Sequence, residues 1–143
     1  MAHESETFFT AVGCMDGRVQ KPIADFGQER FDAQYPDTIT EAGIVGLLAE
    51  NDVDQDFLKS VRFKIVDVSI GKHKSKGIVV HGHQECAGNP VSDEQQKDDI
   101  RRSVLTLQKI VGGGVPVVGV FVKRSASNTS EWMIEEVPQT ETA

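Results

Sequence analysis

The sequence predicts an α/β domain: a mostly parallel four-stranded sheet flanked by helices, with an extra edge strand at its end. Three observations predict it. Short apolar runs alternate with amphipathic helical stretches, the order of a parallel sheet covered by helices. The run at 78–80 has no polar side, as a strand buried on both faces requires. The 143 residues contain no linker, repeat or low-complexity segment. They suit one domain, 1–143, large enough to bury a core without disulfides. The polar ends, 1–6 and 138–143, are expected to be flexible.

Residues 7–13 (TFFTAVG) read as the first strand, being apolar and rich in aromatic and β-branched side chains. Residues 22–31 read as a short helix with Pro22 in its first turn. Residues 37–40 (DTIT) read as a second strand, and 43–50 as a helical turn or two. Residues 54–73 form the longest expected helix so far. Asp54 can cap it. Phe57, Leu58, Val61, Ile65 and Val68 share one of its faces. Lys72, Lys74 and Lys76, interleaved with His73, read as its solvated end, where cations suit the helix dipole.

Gly77 breaks the pattern before the third strand, 78–80. Ser92 and Gln95 make a capping-box signature. Ile100, Val104, Leu107 and Val111 line one face of the helix that follows, and 112–114 (GGG) end it. The fourth strand is read at 115–122, with Pro116 near its start, where proline is tolerated. A polar loop, 125–130, leads to the last strand at 132–137.

The net charge of −7 argues against a nucleic-acid partner, which calls for clustered Lys and Arg. No apolar run approaches the roughly 20 residues that span a bilayer, so no membrane partner is expected. The N-terminus lacks the basic start and apolar stretch of a secretory signal. A cytoplasmic location is the expectation.

In open parallel sheets, sites form at the carboxyl ends of strands where the strand order reverses. Cys14 follows the first strand; His81, His83 and Cys86 follow the third. Two thiolates and an imidazole suit tetrahedral zinc with one position open. The alternative is a pair of inert buried thiols. A disulfide does not suit a reducing compartment. In CMDGR, Asp16 and Arg18 alternate with Cys14, so in an extended segment all three would point one way. On chemistry alone that pair is either an acid–base couple beside the metal or a surface salt bridge. His81 is open to three readings: a ligand in place of His83, a proton shuttle, or a histidine satisfied by hydrogen bonds. His3 and His73 read as solvated, and Glu85 as an exposed loop acid.

Together these residues resemble the β-class carbonic anhydrases, which carry Cys-x-Asp-x-Arg after the first strand and His-x-x-Cys after the third. Here the runs are GCMDGRV and GHQECAG. The resemblance covers nearly the whole chain. It implies a zinc cofactor on Cys14, His83 and Cys86, with Asp16 and Arg18 as the catalytic dyad. In one state Arg18 would hold Asp16 away from the metal; in the other Asp16 would bind it. The implied reaction is hydration of carbon dioxide to bicarbonate and a proton, in a homodimer or higher homo-oligomer. The family's Arg-Asn-Ala-Gly run is replaced by Thr40, Glu41, Ala42 and Gly43. Glu41, Ala42, Gly43 and Gly88 are the expected pocket lining. Ala87 stands where the family has glycine, and the chain is short for the family, without its long N-terminal arm. The competing functions are a non-catalytic zinc-binding module and a hydrolase of another small linear substrate, such as carbon disulfide.

Overall fold

A computed structural model describes residues 3–139. In it the chain forms strand β1 (Phe8–Gly13), helix α1 (Gly17–Phe31), β2 (Tyr35–Thr40), α2 (Ile44–Leu48), α3 (Gln55–Arg62), β3 (Ile78–His83), α4 (Asp93–Val111), β4 (Val117–Arg124) and β5 (Trp132–Glu136). A π-helical stretch, Phe63–Ile70, continues α3 without a break. The sheet order is β2-β1-β3-β4-β5. The first four strands are parallel and β5 returns antiparallel to β4. The chain runs outward from β1 to β2, then crosses back to β3. The strand order therefore reverses between β1 and β3, as a site-bearing crevice requires.

Each face of the sheet packs its own layer. Phe9, Ala11, Val79, Val120 and Val122 meet Val19 and Ile23 of α1. On the other face Val12, Ile78, Val80 and Phe121 meet α2, α3 and α4, through side chains such as Leu48, Val61, Ile100, Val104 and Leu107. Period-2 alternation along β1 and β3 divides the two sets.

Helix α4 is capped as the sequence predicts. Ser92 Oγ accepts the Gln95 N–H at 3.2 Å. The reciprocal half of the box is absent, because the Gln95 side chain donates to Asp99 Oδ1 at 2.9 Å. Gly112 ends the helix at φ 76, donating its N–H to Gln108.

Strand β2 starts at Tyr35 rather than residue 37, and β4 spans Val117–Arg124 rather than 115–122. Three further changes have identifiable causes. Helix α1 starts at Gly17 rather than residue 22, because Asp16 caps it and Pro22 lies inside. Strand β3 runs to His83 rather than residue 80, pairing with β4 throughout. His81 and His83 are therefore strand residues on one face, and do not follow the strand. The helix expected at 54–73 changes to i→i+5 bonding after Arg62, as in Gly71 N–H to Val66 O at 2.9 Å. The wider winding brings Ser69 into the buried row, where α spacing had placed Val68.

Of the ends expected to be flexible, Glu6 turns back on His3 with an N–H···O bond of 2.9 Å. The Pro138 carbonyl accepts from Arg101 at 3.2 Å. Residues 1–2 and 140–143 lie outside the described residues. No helix among the described residues is long and apolar enough to cross a membrane.

Candidate metal centre

Cys14 is the first residue beyond β1, and His83 is the last residue of β3. Cys86 follows a tight turn in which Glu85 takes a left-handed conformation, φ 57. These elements bring one ligand atom each from Cys14, His83 and Cys86 within 4.8 Å of one another. The two sulfurs are 3.8 Å apart. All three side chains are buried.

The histidine is prepared as a ligand. Its Nδ1 lies 2.6 Å from the Gln84 carbonyl oxygen. A carbonyl can only accept, so Nδ1 carries the proton and Nε2 keeps its lone pair. That Nε2 is buried and has no hydrogen-bond partner. A buried acceptor without a donor is costly, and a cation between it and two sulfurs removes the cost. The donor set fits zinc: two sulfurs, one imidazole nitrogen and room for a fourth ligand. Burial, and then the neighbouring Cys14, push the Cys86 thiol up from its ordinary pKa. Ionising the Cys86 thiol in this pocket calls for a cation.

Two loops close around Cys14. The Gly43 N–H points at Cys14 Sγ at 3.4 Å. Gly43 has φ 62, and a Cβ there would lie 2.4 Å from the Gly88 carbonyl carbon. The segments carrying Ala42, Gly43 and Gly88 thus touch backbone to backbone, which only glycine permits. Glu41 is exposed, with its backbone N–H held by Gly13 O at 3.2 Å.

Asp16 and Arg18 do meet beside the Cys14–His83–Cys86 cluster, but not by strand alternation. Asp16 is the N-cap of α1, and Arg18 sits in its first turn. Asp16 Oδ1 accepts the Arg18 backbone N–H at 2.9 Å and its Nε at 3.1 Å. Oδ2 accepts Arg18 Nη2 at 2.8 Å. This fork holds the Asp16 carboxyl down at about 2. The same Oδ2 lies 4.0 Å from His83 Nε2. Gln20 fixes the approach by donating to the carbonyls of Cys14 and Asp16, at 2.9 and 2.8 Å.

Other expectations need correction. His81 is outside the ligand cluster. Its ring is buried, both nitrogens lack partners, and burial holds its pKa down at about 3. It is not satisfied by hydrogen bonds, and a shuttle needs a path to solvent and protonation near neutral pH. A Cβ on Gly13 would sit 1.9 Å from the His81 ring, so Gly13 is the space that ring occupies.

His73 is not merely solvated. It stacks on Phe8 at 4.1 Å, and its Nδ1 is 2.8 Å from Asp37 Oδ2. Glu85 is exposed, yet it is an ion-pair hub. It accepts from Arg18 Nη1 at 3.2 Å and from Arg124 Nε at 2.6 Å. Arg124 and Trp132 were not expected at this pole. Their signal was position: they terminate β4 and begin β5, at the same end of the sheet as His83.

A family model described as "Putative carbonic anhydrase" matches residues 4–138. No curated protein matches the chain in sequence. Among solved structures the chain resembles the isoform I β-carbonic anhydrase of Trichomonas vaginalis, with TM-score 0.56 and 13% identity over 96% of this chain and 86% of that one. It also resembles the β-carbonic anhydrase of the fungal pathogen Aspergillus fumigatus, with TM-score 0.50 and 12% identity over 96% of this chain and 77% of that one. The fold is thus that of the β-carbonic anhydrases, and a family match over nearly the whole chain places this protein in the family described as putative carbonic anhydrases.

Proposed function

We propose that this protein catalyses the zinc-dependent, reversible hydration of carbon dioxide to bicarbonate and a proton. One observation carries the reading. Cys14, His83 and Cys86 converge within 4.8 Å, and an ionised Asp16 lies 4.0 Å from the unpartnered nitrogen of His83. Family membership and fold support it.

Cys14 Sγ, His83 Nε2 and Cys86 Sγ would hold the metal. When bound, zinc supplies Lewis acidity that brings the ionisation of water toward neutral pH. The chain supplies orientation. Asp16, kept ionised by Arg18, is an acceptor for an O–H at the open position, which turns an oxygen lone pair toward carbon dioxide. Arg18 keeps that acceptor aimed. The Gly43 N–H stabilises the charge on Cys14. The touching loops at Gly43 and Gly88 keep bulk water from the sulfurs. A homodimer or higher assembly belongs to the same reading, and light scattering checks it.

The test is stopped-flow hydration by the zinc-loaded protein across several pH values. A rate that vanishes in Cys86→Ala supports the proposal, and no rate above buffer at any pH ends it. A substrate panel including carbon disulfide separates hydration from hydrolysis of another linear substrate. Stoichiometric zinc without turnover of any of these would favour the binding-module reading.

A further inference from the structure

Arg18 is gripped on two sides. One side is the fork to Asp16 described above. On the other, Nη1 donates to Glu85 Oε1 and Nη2 to the Glu85 carbonyl, each at 3.2 Å. Glu85, in a left-handed conformation at φ 57, offers Arg18 both its carboxylate and its carbonyl. Arg124 grips the same carboxylate, with Nε to Oε2 at 2.6 Å and Nη2 to Oε1 at 3.0 Å. Its Nη1 is anchored on the Thr129 carbonyl at 2.7 Å. Both guanidinium groups lie over the Trp132 ring, Arg18 at 4.9 Å and Arg124 at 4.5 Å from its centroid. Arg124 and Trp132 are cross-strand partners in the β4–β5 pairing.

Two like charges over one indole would repel. The Glu85 carboxylate between them, together with the negative face of the ring, makes the arrangement favourable. Arg18 is 40% exposed and Glu85 51%. Isolated pairs this exposed contribute little to stability. The consequence of the network is geometric: it removes the rotamer freedom of an arginine whose other edge holds Asp16.

We propose that Glu85, Arg124 and Trp132 are positioning residues that clamp Arg18, and through it keep Asp16 off the fourth ligand position of the metal centre. The clamp rests on the zinc-site reading above. It adds that the antiparallel β5 and the turn between the His83 and Cys86 ligands decide whether the site is open.

The test uses cobalt(II)-loaded protein titrated with azide, read by the visible absorption of the metal. An open fourth position accepts azide, and an Asp16-bound one resists it. Wild type is expected to bind azide. Glu85→Gln and Arg124→Lys should each weaken azide binding about tenfold, the scale of losing an outer partner at a metal site. Adding Asp16→Asn to either variant should restore it, because the competing carboxylate is gone. Glu85→Gln preserves shape at an exposed position, and circular dichroism confirms that each variant is folded.

Azide affinity equal to wild type in both variants overturns the clamp. So does failure of Asp16→Asn to restore it, or a wild type that takes no azide. Protein that takes up no cobalt overturns clamp and zinc site together. Protein that binds cobalt and azide as expected but hydrates no carbon dioxide overturns only the proposed activity.

Discussion

The two ends of the sheet use the same kinds of residue in opposite ways. At the amino end of the strands, Asp37 Oδ2 accepts from Ser69 Oγ at 2.8 Å and pairs with His73 Nδ1 at 2.8 Å. Ser69 continues to Thr10 at 2.7 Å, and Thr10 to Ser75 at 2.8 Å. Every member has a partner. At the carboxyl end, His83 Nε2 has none, and the nearest carboxylate is held 4.0 Å away by an arginine. A histidine locked to an aspartate is a strut. A buried histidine with one nitrogen committed and the other empty is a ligand in waiting. The difference lies in satisfaction, not in residue type.

The comparison breaks most visibly if a ligand is removed. His83→Ala should lower zinc affinity by on the order of a hundredfold or more, since even outer-shell losses reach that scale. Competition with a chromophoric chelator measures it. Hydration should fall with zinc occupancy, while the fold stays intact. Retention of full zinc occupancy would equate the two ends.

Next in size is Gly13→Ala, which drives a methyl into the His81 ring. Overpacking of this kind costs about 1–3 kcal/mol, read by urea unfolding. His81→Ala should relieve part of it, giving a coupling of about 1 kcal/mol or more in a double-mutant cycle. Simple additivity would mean that the ring does not fill that space.

Thr10→Val acts at the other end. It leaves the Ser69 and Ser75 hydroxyls short of a partner, at a cost of about 1–3 kcal/mol. Zinc affinity should not change. A loss of zinc in this variant would mean the two ends are coupled through β1.

The smallest effect calibrates both ends against a solvated cluster. Glu135 accepts from Lys123 Nζ at 2.7 Å and pairs with Lys97 at 2.8 Å. Those hydrogen bonds, Lys123 first, hold its carboxyl below the ordinary 4.5. The unfolded chain therefore takes up this proton at a higher pH than the folded one. The contribution to stability is full above about 4.5 and is lost as pH falls through the lowered value. Glu135→Gln should flatten that acid limb by less than about 1 kcal/mol, as partly exposed pairs do.

The Cys14, His83 and Cys86 cluster was readable in the sequence because each half sits in a compact motif at a strand end. Cys14 follows an unambiguous apolar run, and His83 and Cys86 are three residues apart. The element order was readable for the same reason: apolar period and glycine breaks are local. What escaped was decided over long separations or by one residue doing two jobs. Asp16 is both a helix cap and the ion-pair partner of Arg18, so the start of α1 was hidden in a run that looked extended. Glu85 meets Arg124 because β3 and β4 pair in parallel, and Trp132 joins them because β5 returns antiparallel; no local pattern announces that meeting. The satisfied network escaped because Ser69 is polar, and a search for apolar spacing passes over it.

The π-helical stretch at Phe63–Ile70 has a different kind of consequence. Winding by i→i+5 uses more chain per turn than α winding, so this helix carries surplus residues between fixed ends. Removing one exposed residue there, such as Asp67, would let the segment tighten to an ordinary helix with its ends in place. The same deletion in α4 would rotate everything beyond it off the sheet. Length variation among relatives of this chain should therefore be tolerated in the π stretch, and alignments that force it into a neighbouring loop will shift the register of the Ser69 contact.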